Sequence, residues 1–185
     1  MSRGALGRRP ARIDHGAGPH RGRFATMSQA SNPLETTQGF AAPTVTQYSV
    51  FLDNRVGRLR ALLQAFSQKP YCRLHAVTVH EASDHAVVRL ITSDATEAAV
   101  TLRSDDFAFA ETEVLVIEIA DHCSIAGLCT ALVGAELNIQ FIYPLFALTG
   151  RGPAVALAVD DPTLAGQILR RKGYELLGES DLALG

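Results

Sequence analysis

The side chains best suited to covalent chemistry adjoin one another at His122-Cys123. A cysteine beside a histidine, at the start of a predicted helix, is an arrangement that lowers a thiol pKa and makes a nucleophile. No orienting Asn or Asp is placed by a motif, and a buried or incidental cysteine is the commoner reading. His75, His80 and His85 are spaced by five along what reads as a hairpin. Alternate strand residues face opposite sides, so the three cannot converge on one ion and no metal site is expected. Cys72, Cys123 and Cys129 are odd in number and lack C-x-x-C spacing. That pattern suggests neither a disulfide framework nor a zinc knuckle and suits a reducing cytoplasm. No P-loop, G-x-S-x-G, H-E-x-x-H, EF-hand or G-x-G-x-x-G is present. With no paired acid and base groups, the sequence predicts neither an enzyme nor a cofactor.

The elements that would position any site are written twice. Thr46 to Leu52 alternates, with Tyr48, Val50 and Leu52 on one face, as a half-buried strand does. A turn follows at Asp53-Asn54-Arg55-Val56-Gly57. Leu59, Leu62, Leu63 and Phe66 then fall on one helical stripe, which Pro70 ends. Leu74 to Val79 and Ala86 to Ile91 read as a hairpin about the polar turn Glu81 to Asp84. Ser93 or Asp94 caps a second predicted helix, and Phe107 to Ala110 begins a fourth strand. The order is βαββαβ. From Val114 it recurs: Ile125, Leu128, Cys129 and Leu132 each lie 66 residues after their counterparts in the first helix. Leu137 to Tyr143, Ala154 to Val159, a helix opened by Asp161-Pro162, and Tyr174 to Leu177 complete the copy. A repeat of this length is a duplicated domain. The fold class predicted is therefore α+β: two tandem ferredoxin-like βαββαβ units, each an antiparallel sheet with helices on one face, packed side by side. The expected divisions are an extension over 1–44, a first unit over 45–112 and a second over 113–185, with hardly any linker between the units.

The extension is rich in Gly, Arg, Pro, Ser and Thr, shows no apolar periodicity, and is expected to be disordered. It lacks the apolar region of a secretory signal; a transit-like segment and translation from Met27 are two readings left open. Residues 1–26 carry six arginines against Asp14. Removing these from the chain totals of 17 basic and 19 acidic residues leaves 11 and 18. That acidic balance argues against nucleic acid as a partner. No apolar run approaches the roughly 20 residues of a membrane span, so no membrane contact is expected.

Asp53-Asn54-Arg55-Val56-Gly57-Arg58-Leu59, following a strand, resembles the D/E-N-x-P-G-x-L turn of ACT domains, as found at the regulatory end of phosphoglycerate dehydrogenase. With both copies counted, the chain looks closest to small tandem ACT proteins. The resemblance implies a regulatory protein, free of catalysis, that binds a small amino acid in the cytoplasm. It allows for a regulated protein partner and for a homodimer. The ligand site it implies comprises Asn54, Arg55, Val56 and Gly57 of the first turn, with Asn138 of Leu137-Asn138-Ile139 in the second unit. The physical chemistry agrees: a turn glycine lets backbone amides approach a ligand, a helix N-terminus offers donors to a carboxylate, and Asn serves an amine.

Three departures keep a second reading open, an ACT-fold interaction module that has lost its ligand. Val56 replaces the usual proline, Arg73 stands where the first unit would carry its Asn, and Asp121-His122-Cys123-Ser124 replaces the second turn. One competent site is therefore expected, rather than two equivalent ones. Asn54 also has a purely local reading, since Asn in turns bonds its own backbone.

Overall fold

A computed structural model describes residues 41–183, apart from Ser83 and Ala147. The readings of the 1–40 extension lie outside the described residues. The first unit runs β1 (Val45–Asp53), α1 (Arg58–Ser67), β2 (Leu74–Ala82), β3 (His85–Thr92), α2 (Ala95–Ser104) and β4 (Ala108–Glu118). The second adds α3 (Ile125–Val133), β5 (Ile139–Pro144), β6 (Ala154–Val159), α4 (Pro162–Arg171), β7 (Glu175–Leu177) and α5 (Glu179–Ala183). The sheet order is β2-β3-β1-β4-β6-β5, all antiparallel, with β7 also paired to β4.

The units share a strand. Ala108 to Val114 of β4 pairs with β1 as the fourth strand of unit 1, while Leu115 to Glu118 pairs with β6, and Val116 to Glu118 also with β7, as the first strand of unit 2. The two short strands read from the sequence on either side of Glu111-Thr112-Glu113 are thus one. Glu111, Thr112 and Glu113 pair with Tyr48, Gln47 and Thr46 of β1, which keeps the strand extended up to the point where its pairing with unit 2 begins.

Each unit buries its own helix-facing core. In unit 1, Tyr48, Val50, Leu52, Val88 and Leu90 meet Leu62 and Phe66 of α1 and Ala98 and Leu102 of α2. In unit 2, Leu115, Ile117, Val155 and Leu157 meet Leu128 and Leu132 of α3 and Ala165 and Leu169 of α4. A third core lies on the helix-free side, where Val45, Ala76 and Ile91 of unit 1 pack against Tyr143, Ala156 and Leu177 of unit 2. The continuous sheet therefore curls, so that its two helix-free halves face each other. Every residue of β6 is buried because both its faces are covered: Val155, Leu157 and Val159 face the helices, and Ala154, Ala156 and Ala158 face the other half. The small alanines leave room for Tyr143, whose hydroxyl donates to Gln47 Oε1 at 2.7 Å within this core.

Two features differ from the sequence reading. Ile125 and Leu59 open their apolar stripes but remain 47% and 37% exposed, whereas Leu128, Leu132, Leu62 and Phe66 are fully buried in the cores and Cys129 packs against the second. The five-residue α5 has no counterpart in the sequence analysis, being too short for periodicity to show. It is held by tertiary bonds: Glu179 Oε1 accepts from Thr46 N at 2.6 Å, and the buried His75 Nε2 lies 2.9 Å from Leu182 O.

Candidate functional site

The turn after β1 is built by backbone bonds that leave a helix end open. Arg55 N donates to Asp53 O at 2.7 Å and Arg58 N to Arg55 O at 3.2 Å, winding the chain into α1. Gly57 occupies the N-cap at φ 92°, a left-handed conformation that disfavours a side chain. A glycine cap cannot satisfy the first-turn donors, and α1 has no side-chain cap and no acid in its first turn. The three helices that follow are capped. Asp94 accepts from Glu97 N at 2.9 Å, Ser124 from Gly127 N at 3.0 Å, and Asp161 from Leu164 N at 2.8 Å. A cap of that kind contributes about 1 kcal/mol, so its lack leaves α1 with a positive, donor-rich end.

That end adjoins a polar cleft of about 370 Å³ lined by Asp53, Asn54, Arg55, Asp84 and His85. The register explains the grouping: Asp53 pairs with His85, so the β2–β3 hairpin turn lies beside the β1 turn. Asn54 is anchored by its N–H to Asp84 O at 3.1 Å and by Nδ2 to Glu81 Oε1 at 2.8 Å. The Val56 side chain is fully exposed. Two carboxylates, a guanidinium and an imidazole around one cleft suit a small zwitterion better than a single-sign ion. Sequence reasoning missed Asp84 and His85 as lining residues. The signal was available, because in a βαββαβ unit the first strand neighbours the third, which brings the hairpin turn to the β1 end.

Asn138 is exposed just before β5, with its N–H donating to Asp160 Oδ1 at 3.2 Å. No described hydrogen bond joins it to the first turn, and the cleft there is lined by unit 1 alone. The second turn is occupied by its own chain. Ser124 caps α3, Tyr174 Oη donates to Ser124 O at 2.9 Å, and the buried Cys123 thiol lies 3.8 Å from Gly173 O. His75 is buried, whereas His80 and His85 are exposed. Among the described residues no three His, Cys, Asp or Glu gather as a metal site, and no helix is long and apolar enough to cross a membrane.

Two βαββαβ units sharing one strand and one sheet define a paired α+β module. The chain belongs to the family described as the ACT domain pair, whose profile matches residues 43–184. It is similar in structure to protein BT0572 from Bacteroides thetaiotaomicron, at 26% identity and a TM-score of 0.66, over 77% of this chain and 97% of that one. Weaker likeness, with TM-scores of 0.46 and 0.44, reaches the regulatory subunits of aspartate kinase from Thermus thermophilus and Thermus flavus. These are 10% and 11% identical, covering 72% and 71% of this chain and 95% and 93% of theirs. No curated protein sequence matches.

Proposed function

We propose that the protein is a regulatory, non-catalytic binder of a small amino acid, with its ligand in the cleft beside the first turn. The ligand carboxylate meets the backbone amides around Val56 and Gly57, and its amine meets the Asn54 side chain, with Asp53 and Asp84 at the rim. One observation carries this reading: α1 alone among α1–α4 has an N-terminus without a side-chain cap, and Asp53, Asn54 and Arg55 of the turn that leads into it line a cleft of mixed charge. Arg55 supplies further positive charge to the carboxylate side. Asn138 does not line this cleft within one chain, so it takes part through a second copy, which makes a homodimer part of the proposal. Ligand binding then regulates a separate protein partner. Three unpaired cysteines fit a reducing cytoplasm.

Calorimetry on two variants tests the assignment. Asn54→Ala should weaken amino-acid binding by about ten- to a hundredfold, the cost of losing a hydrogen bond to a charged group. His122→Ala, in the capped second turn, should leave affinity unchanged. The opposite pattern, with Asn54→Ala silent and His122→Ala damaging, would move the ligand to the second turn and refute the assignment.

A further inference from the structure

The charge around the turn cleft does not balance. Asp53, Asp84 and Arg55 line its 370 Å³ together with Asn54 and the imidazole of His85. Glu81 adjoins it, accepting from Asn54 Nδ2 at 2.8 Å. Three carboxylates thus outnumber the cations whichever protonation state His85 takes. Among the described residues no ion pair uses Asp53, Glu81, Asp84 or Arg55, whereas Glu97, Glu111 and Glu118 each meet a Lys or Arg. The two arginines at the start of α1 are engaged elsewhere. Arg58 Cζ lies 5.9 Å from the centroid of the Phe107 ring, and Arg60 lines a separate groove along α1 with Leu59 and Leu63.

The surplus carboxylate comes from a different element than the groups that would hold the backbone of an amino acid. Asp53, Asn54 and Arg55 are consecutive in the β1 turn, whereas Asp84 belongs to the β2–β3 hairpin and is brought to the cleft by Asn54 N donating to Asp84 O at 3.1 Å. A cavity of 370 Å³ stands at the small end of ligand pockets, which run from about 300 to 1,000 Å³. An α-carboxylate on Arg55 and an α-ammonium beside Asp53 and Asn54 leave Asp84 without a counter-charge. A neutral ligand side chain does nothing for it and an acidic one repels it, while a second cation forms a charge-assisted hydrogen bond.

We propose that the cleft selects an amino acid with a cationic side chain, whose distal ammonium or guanidinium meets Asp84. The proposal rests on the amino-acid reading of this cleft and adds the class of side chain. Calorimetry on the full chain compares lysine, norleucine, which lacks only the distal amine, and glutamate. Lysine should bind at least about fivefold more tightly than norleucine, with glutamate weakest, and its advantage should shrink with added salt. Asp84→Asn should bring lysine to the norleucine level while leaving norleucine and the melting temperature unchanged, since Asp84 is an exposed turn residue. Asp84→Lys should invert the order, with glutamate overtaking lysine. Norleucine binding as tightly as lysine, or a lysine advantage that survives Asp84→Asn, would overturn the proposal; the amino-acid reading itself would still stand if Asn54→Ala weakened the binding. Silence toward lysine and its two comparators in a chain that binds another amino acid would also overturn it, whereas silence toward every amino acid would remove the reading on which it rests.

Discussion

At the scale of single residues, one backbone position and one buried side-chain pair expose what the fold demands. Gly57 has φ 92° and no atom within 4 Å of where a Cβ would stand. Gly57→Ala therefore costs stability through the backbone alone, about 1 kcal/mol, and chemical denaturation should read that loss without a change in m-value. An unchanged midpoint would mean that the turn rearranges at no cost. Tyr143 and Gln47 make the complementary case. Burial pushes the Tyr143 hydroxyl pKa up, only partly opposed by Arg89, so the group stays a neutral donor to Gln47. Tyr143→Phe leaves the buried Gln47 carbonyl unsatisfied and should cost about 1 to 3 kcal/mol, whereas adding Gln47→Leu should recover much of the loss. Equal, additive losses in the two single variants would show that the bond is uncoupled. Asn54 through Gly57 could be singled out in the sequence because turn chemistry is local. Asp84 and His85 carry no such local signal; only the strand order of a βαββαβ unit, which sets β3 beside β1, brings them to the cleft.

At the scale of elements, α5 docks through a histidine whose burial disfavours its charged form. Burial lowers the His75 pKa, against the raising effect of the Leu182 carbonyl, with Arg73 lowering it further. In the unfolded chain the ring titrates near pH 6.5, so below that pH the unfolded state binds the extra proton and the folded state resists it. Stability should thus be constant above about pH 6.5 and fall as the medium is acidified below it. His75→Gln keeps an N–H donor for Leu182 without a titrating group, and its melting temperature should lose this pH dependence; an acid slope identical to that of the natural chain would assign the effect elsewhere. The strands and helices of both units were legible in the sequence, because alternation at two residues and recurrence at three and four report which face is buried. The fold-over of the sheet was not. Ala154, Ala156 and Ala158 read as fillers of an apolar run, and nothing local distinguishes a strand covered on both faces by helices from one covered by helix and sheet.

At the scale of the whole molecule, the shared β4 and the core between the sheet halves make the two units one cooperative body. Calorimetric unfolding should give a single transition with equal calorimetric and van't Hoff enthalpies, and a chain ending near Glu111 should not fold, since it loses the helix-free packing of Val45, Ala76 and Ile91. Two separated transitions would contradict that unity. The same cooperativity makes melting temperature a report on any ligand, wherever it binds. The most direct measurement is therefore a thermal-shift screen of the full chain against the twenty amino acids. A ligand at a hundred times its dissociation constant stabilises the native state by about 2.7 kcal/mol, a shift of several degrees. At least one amino acid should produce it, and Asn54→Ala should cut it by about half or more; silence across all twenty would contradict the amino-acid reading and favour an interaction module that has lost its ligand.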